Sequence, residues 1–341
     1  MNQQQSKEMI ERNTEETVTE EELEQLTATT DERSPRGYIG FEPSGPCHLG
    51  NLLAIHKLQD IQQAGFQPVV LLADIHAYKN NKGTLDQIQK IADYWQTVFQ
   101  ALGLEDADYI RGSSFQQEEE YQNHLEELKN EVTVNRAQRA LGDIADDTSE
   151  ATVGQLEYPL MQALDIPHLD ADLAIGGTDQ RKIHMLARDE LSKLGLDAPT
   201  ALHFNLLPAL TGIGDKMSSS KPETMFPLHA SEETITDRIH NAFLDPKLSV
   251  AENPILDIAD RSILQRGEIL DIDNEYVDRS FSSVDQLYTE LQNWTCDSAT
   301  GDEIHPEDVK AGVADWMVKE LQPVREAFKD QSDLLEPLEN R

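Results

Sequence analysis

The chain has 341 residues, with 28 Lys+Arg against 64 Asp+Glu and a formal net charge of −36, far more than solubility at ordinary ionic strength requires. That acidity argues against a nonspecific nucleic-acid binder, which needs clustered Lys and Arg to meet phosphates, and a 38% hydrophobic fraction with clear periodicity argues against a disordered chain. Two cysteines, Cys47 and Cys296, are too few for a disulfide framework or a zinc cluster, and no apolar run is long enough to span a bilayer. A soluble cytoplasmic protein with no membrane partner is expected. At molar salt the Debye length falls to about 3 Å, which screens the self-repulsion of such a surface, so the chain reads as halophilic, built for a very salty cytoplasm. Its length exceeds the roughly 250 to 300 residues that one core serves, so two domains are expected.

An acidic helical segment occupies residues 1–30, with Glu15, Glu16 and Glu20 to Glu22 prominent. Tyr38-Ile39-Gly40-Phe41 reads as a short strand entering the turn Pro43-Ser44-Gly45-Pro46. A helix follows, with Leu49, Leu52, Leu53, Leu58 and Ile61 at helical spacing and Gly65 as its stop, and then the apolar strand Val69 to Ala73. Thr84 caps the next helix, whose stripe is Leu85, Ile88, Ile91, Trp95, Val98 and Leu102, and Gly103 ends it; Tyr109-Ile110 is another strand. Residues 115–150 are charged and helical, an insertion between the halves of a sheet and a candidate dimer contact. The βα pattern resumes with a strand from Ala171 to Ile175, the turn Gly176-Gly177-Thr178, and a helix opening at Asp179 with Ile183, Leu186 and Leu194 inward. Such alternation implies an α/β, Rossmann-like parallel-sheet domain over residues 31–224. From Met225 helices dominate, and His305-Pro306 opens one with Val309, Val313, Trp316, Leu321 and Val324 as its apolar face, giving a C-terminal helical domain over 225–341.

Two separated segments carry nucleotide chemistry. Pro46-Cys47-His48-Leu49-Gly50-Asn51 lies at the first strand-to-helix turn, where amides and the helix dipole favour phosphate. Lys216-Met217-Ser218-Ser219-Ser220-Lys221 lies in a loop, residues 212–222, whose small residues allow closure and whose lysines can meet the charge that develops on departing pyrophosphate. Together they resemble the paired signatures of class I aminoacyl-tRNA synthetases, with Asn51 standing where the first signature usually has histidine. Cys47 falls at its variable position.

Tyr38 to Gly45, Leu71 to Tyr78 and Gly176 to Lys182 narrow the resemblance to the tyrosyl-tRNA synthetases of the archaeal and eukaryotic type, along nearly the whole chain. Independently of that resemblance, Tyr158, Gln162 and Asp165 are spaced i, i+4, i+7 and share one helical face, with Pro159 suited to a first turn. Such a polar stripe is more often a solvated side than a binding surface, and Leu160, Met161, Leu164 and Ile166 beside it leave both readings open.

The resemblance implies that ATP and L-tyrosine react to tyrosyl-adenylate, after which tyrosine is transferred to tRNA(Tyr). His48, Gly50, Asn51, Lys216 and Lys221 would do the catalysis. Asp165 and Tyr38 would hold the phenol, with His76 also in the tyrosine pocket, and Tyr158, Gln162 and Gln180 would hold the α-amino group. Gly40, Gly50, Gly177, Asp179, Met217 and Ser218 would contact ATP or its ribose, and Asp308 the first anticodon base, in a C-terminal domain that reads the anticodon. Mg²⁺ would enter on the ATP phosphates, because no carboxylate cluster dedicated to a metal is evident, and a homodimer is implied. The rivals are a tryptophanyl-tRNA synthetase, a synthetase-like RNA-binding protein without charging activity, and a small-molecule adenylyltransferase that shares the first signature.

Overall fold

The computed structural model describes residues 2–28, 33–142, 151–212, 217, 221–273, 277–293 and 303–339. Their contacts divide the chain into two units, one of residues 1–44, 57–205 and 336–341, the other of residues 45–56 and 206–335.

The first unit is built on six strands: β1 (Glu16–Val18), β2 (Arg36–Phe41), β3 (Gln67–Leu72), β4 (Asp108–Arg111), β5 (Leu173–Gly177) and β6 (Thr200–Phe204). They form one sheet in the order β1-β6-β5-β2-β3-β4. β2 to β6 run parallel and β1 is antiparallel to β6. The fold is therefore α/β, as expected, with a short antiparallel edge added. Val69, Val70, Leu71 and Leu72 on β3 are at most 1% exposed, the burial that a parallel strand covered on both faces needs. Strand order reverses beside β2, which has β3 on one side and β5 on the other. In such sheets ligands bind outside the carboxyl ends of the strands at this switch point, and Gly40 on β2 and Gly177 on β5 lie toward those ends, with Tyr38 midway along β2.

Two local expectations are corrected, and the helical insertion is found where it was read. β5 begins at Leu173 and contains Gly176 and Gly177, so the two glycines are strand rather than turn, and a 3₁₀ turn, Thr178–Gln180, precedes the helix Arg181–Glu190. The helix carrying the polar face runs Val153–His168, capped by Thr152, so Pro159 lies inside it rather than in a first turn. Of the helical insertion, Glu119–Glu131 and Val134–Leu141 are helices, and residues 143–150 lie outside the described residues.

The N-terminal segment consists of the helices Gln3–Glu11 and Glu20–Ala28 with β1 between them. It is pinned by Lys57, whose ammonium, 2% exposed, donates to the Ile10 and Arg12 carbonyls and to Thr14 Oγ1. The carbonyls that end a helix are thus met by a buried cation.

The second unit is mainly helical. Its core includes Ile235, Ile239, Ile255, Ile258, Leu287, Val309, Val313 and Met317, all fully buried. The helix Pro306–Glu320 starts at the expected place and packs against a hairpin of β7 (Leu270–Asp273) and β8 (Asp278–Phe281) that the sequence reading passed over. The Leu270-Asp271-Ile272-Asp273 alternation, apolar side chains in and carboxylates out, is its period-two signal. Residues 45–56 go with this unit because Leu49 N–H and Leu228 N–H pair with the Phe226 and Cys47 carbonyls at 3.0 and 2.9 Å.

Candidate active site

In the first unit the polar face of Val153–His168 is turned inward. Tyr158, Gln162 and Asp165 are 9%, 8% and 0% exposed, so the solvated reading of that stripe does not hold. One Asp165 oxygen, Oδ1, accepts from Gln116 Nε2 at 2.7 Å and from the Tyr121 hydroxyl at 2.9 Å. The other, Oδ2, lies 3.6 Å from His76 Nε2. His76 comes from the short helix Asp74–Lys79 that follows β3, and its ring stands edge-on to Tyr158 at a centroid distance of 4.7 Å. Tyr38, from β2, is 1% exposed.

Burial dominates the electrostatics here. It pushes the Asp165 acid up to about 7, against the hydrogen bonds from Gln116 and Tyr121 that pull it down. It drives the His76 imidazole down to about 3, with the Lys79 charge adding to the effect, so the ring is neutral at pH 7. The Tyr38 phenol is raised well above its ordinary value by burial and by the nearby Asp165 carboxyl, so it keeps its proton. Among the described residues, Asp165 Oδ2, Tyr38 Oη, His76 Nε2, Gln162 Oε1 and Gln116 Oε1 are buried without a hydrogen-bond partner. Each such atom costs about 1 to 3 kcal/mol, and a concentration of them in one pocket marks a place made for a polar ligand. An acceptor at Asp165 and a hydroxyl at Tyr38 suit a ligand hydroxyl that both donates and accepts.

Gln162 Nε2 donates to Gln180 Oε1 at 2.9 Å, which brings the 3₁₀ turn after β5 to the same pocket. Gly177, buried, is the cap of that turn, and Asp179, half-buried, lies within it. A carboxylate at the start of a helix can serve as a cap partner or as an acceptor for ribose hydroxyls. Gly40 is exposed on β2, and a Cβ there would lie 2.6 Å from the Tyr38 hydroxyl, so a side chain would displace the phenol.

The second unit holds the first signature in a defined geometry. His48 caps the 3₁₀ turn Leu49–Asn51, which runs into the helix Leu52–Gln63. Its Nδ1 accepts from Gly50 N–H at 3.1 Å, and its own N–H donates to Asn51 Oδ1 at 3.0 Å. Burial lowers the His48 imidazole to about 4, so at pH 7 it is neutral, and with Nδ1 accepting from Gly50 its proton sits on Nε2 as a donor. Asn51 spends its carbonyl oxygen on this cap, which leaves Nδ2 as the donor side of its amide. Met217 joins the same place: a Cβ on Gly50 would lie 2.9 Å from His48 Cε1 and 3.3 Å from Met217 Sδ. The two signatures, far apart in sequence, therefore approach one another within this unit. Lys221 is exposed, and its carbonyl accepts from Thr224 N–H at 2.9 Å. Lys216 and Ser218 lie outside the described residues.

A sequence profile of the family described as tRNA synthetases class I (W and Y) matches residues 30–322. The chain belongs to that family. The tyrosine–tRNA ligase of Archaeoglobus fulgidus is 44% identical over 320 residues, covering 93% of this chain and 95% of the relative. That of Methanosarcina mazei is 42% identical over 326 residues, covering 94% and 98%. The crystal structure of tyrosyl-tRNA synthetase complexed with L-tyrosine from Archaeoglobus fulgidus matches with a TM-score of 0.87 at 41% identity, covering 96% of this chain and 99% of that one. The resemblance read from the motifs is thus borne out at the level of the family and of its archaeal tyrosine branch.

For this synthetase, two pocket residues were missed by sequence reasoning. Gln116 and Tyr121 belong to the insertion and hold Asp165 from the far side of the pocket. Tyr121, Leu125 and Leu128, all at most 2% exposed, follow i, i+4, i+7; the spacing signals a buried face but not what it touches. Asp308 lies in the first turn of Pro306–Glu320, where its Oδ2 accepts from His305 N–H at 2.8 Å in a capping box.

Proposed function

We propose that the chain is a tyrosine–tRNA ligase that activates L-tyrosine with ATP and transfers it to tRNA(Tyr). The observation that carries this reading is the group of buried, unpaired polar atoms around Asp165 and Tyr38, whose chemistry complements a phenol hydroxyl. Asp165 and Tyr38 would bracket that hydroxyl, with His76 beside it, while Tyr158, Gln162 and Gln180 take the α-amino group. Gly177 and Asp179 would receive the adenylate ribose, with Gly40 leaving room at the end of β2. His48 through Nε2–H and Asn51 through Nδ2 would grip phosphates, with the Gly50 amide holding the imidazole in place, assisted by Met217, Ser218 and the lysines Lys216 and Lys221.

The tyrosine carboxylate then attacks the α-phosphate in line, the bond to pyrophosphate breaks, and no covalent enzyme intermediate forms. Catalysis is positioning plus charge stabilisation by donors already in place. Mg²⁺ bound to the ATP phosphates would supply charge neutralisation there. A tryptophan substrate is disfavoured, since an indole brings no hydroxyl for Asp165.

Measuring which amino acid drives ATP–pyrophosphate exchange, and charging of tRNA(Tyr) transcripts, tests the proposal; exchange driven by tryptophan, or exchange without charging, would overturn it. We further propose that Asp308 contacts the anticodon, that residues 115–150 contribute a homodimer contact and that the protein works in a salty cytoplasm. Among the described residues no helix is long and apolar enough to cross a membrane. With a net charge of −36, dialysis from molar KCl into dilute buffer is expected to lower both activity and Tm. Unchanged Tm on dialysis would refute the halophilic part alone.

A further inference from the structure

We infer that the N-terminal strand is part of the tyrosine site's support: Glu16 on β1 is a positioning residue that sets the orientation of Gln180. The inference rests on the assignment of Gln180 to the substrate amine and extends it to a segment 160 or so residues away in sequence, as the spacing of the Glu16 and Arg181 partners records.

Three strands align the parts. Glu16 on β1 is in register with His203 on β6, and His203 with Gly176 on β5. From this row two arms reach the 3₁₀ turn that carries Gln180. On one arm, Glu16 accepts from Arg181, the residue directly after Gln180, through Nε at 2.6 Å and Nη2 at 2.8 Å. This two-point contact fixes the plane of the guanidinium.

On the other arm, Glu16 Oε2 lies 3.2 Å from His203 Nδ1, and His203 Nε2 lies 3.0 Å from His184 Nδ1. A carboxylate can only accept, so His203 carries its proton on Nδ1 and through Nε2 accepts a hydrogen bond from His184 Nδ1–H. One carboxylate thereby fixes both tautomers. The two rings are stacked at 5.1 Å and are 1% and 0% exposed, His184 first. Burial lowers both imidazoles, His184 to about 3 with the neighbouring His203 adding to the effect, so the pair is neutral at pH 7.

The two arms converge at Gly176. A Cβ there would lie 2.8 Å from Gln180 Cβ, 2.9 Å from Gln180 Cγ and 3.2 Å from His184 Cε1. Gln180 and His184 therefore both border the space that a side chain on Gly176 would fill. Gln180 in turn accepts from Gln162 at 2.9 Å. The Glu16–Arg181 pair is about 34% and 47% exposed, a kind of pair that contributes little to global stability, so its consequence is local.

The test compares Glu16→Ala and Glu16→Gln with the unaltered protein in concentrated KCl, by tyrosine-dependent ATP–pyrophosphate exchange. A second ligand, 3-(4-hydroxyphenyl)propionate, has the phenol and carboxylate but no amine, and is measured as an inhibitor. Glu16→Ala is expected to raise KM for tyrosine about tenfold, the effect of one misplaced hydrogen bond, with KM for ATP little changed. The inhibition constant of the amine-free analogue should stay within about twofold, since it makes no use of Gln180. Glu16→Gln, which keeps one acceptor oxygen, should fall between. Equal weakening of tyrosine and the analogue, or no change in either, overturns the inference. If Glu16→Ala fails to fold, the strand is structural and the inference also falls unless Glu16→Gln separates the two ligands. Absence of tyrosine-dependent exchange in the unaltered protein would instead overturn the underlying assignment.

Discussion

The buried cluster around Asp165 and the turn around His48 present their polar groups by opposite means. At Asp165 the groups are side chains brought from β2, from the helices Asp74–Lys79 and Val153–His168 and from the insertion, and several of their atoms are buried without protein partners. At His48 the groups lie within four residues: the Gly50 N–H is engaged by His48 Nδ1 and the His48 N–H by Asn51 Oδ1, which leaves the imidazole Nε2–H and Asn51 Nδ2 as donors. The first arrangement can discriminate, because a ligand lacking the matching hydroxyl leaves buried groups unsatisfied. The second can grip phosphate from any nucleotide, because a helix start offers the same donors whatever else is attached. On the proposed assignment, selectivity would lie in the first unit and phosphate binding in the second.

The widest gap between the two regions should appear on removing the carboxylate. Asp165→Ala is expected to lower kcat/KM for tyrosine activation by about 10³ or more and to erase most of the preference for tyrosine over phenylalanine, since pockets that read a hydroxyl discriminate by about 10⁴ to 10⁵. Comparing exchange rates with the two amino acids checks this, and an unchanged ratio would reject Asp165 as the phenol's partner. The same residue should show in stability without substrate. Its acid is raised from 3.8 to about 7 by burial, so the fold favours the protonated form. The sign follows: this contribution to stability is complete below about 4 and declines as pH rises to about 7. Asp165→Asn removes the titration, so its stability relative to the unaltered protein should climb across that window by up to about 4 kcal/mol and level off above it. A pH-independent difference in denaturant midpoints would show that the carboxyl is solvated.

Periodicity revealed most of the fold because the helices and buried strands carry strong patterns: the Thr84 cap and the Ile88, Ile91, Trp95, Val98 stripe are found where they were read. β1 was invisible, since three residues, Glu-Thr-Val, form a strand only by pairing with β6. The Tyr158, Gln162, Asp165 face was legible as a shared face but not as a buried one, because a helix apolar on its remaining sides gives no outward direction. Gln116 and Tyr121 were illegible for a different reason. They reach Asp165 across 49 and 44 residues, and no local pattern encodes a partner at that distance. The signatures, by contrast, gather their groups from neighbouring positions, and this makes them readable from six residues at a time.

On the phosphate side, His48→Ala should lower kcat for tyrosine activation by about 10² to 10³, the cost of removing one preorganised donor. KM for tyrosine should stay within about twofold, since the residue makes ground-state contact with a different reactant. Pre-steady-state formation of tyrosyl-adenylate separates the two. A rise in KM for tyrosine comparable to that in Asp165→Ala would mean that the division between the regions is wrong.

The smallest effect should come from Tyr121→Phe, which sharpens the account of how Asp165 is held. The hydroxyl's single proton is shared between Asp165 Oδ1 at 2.9 Å and the Met161 carbonyl at 3.0 Å. Gln116 remains as a donor, and the ring keeps its contacts with Phe115 and His168 at 5.5 and 4.8 Å. The loss is therefore one shared hydrogen bond to a carboxylate, about 1 to 2 kcal/mol, or roughly tenfold in KM for tyrosine. Because that bond stabilises the charged form, the acid should rise further without it, and the pH at which tyrosine affinity reaches its plateau should move upward. A loss as large as that of Asp165→Ala would make Tyr121 itself a reader of the phenol, whereas no change in either KM or its pH dependence would mean that Gln116 alone holds the carboxylate.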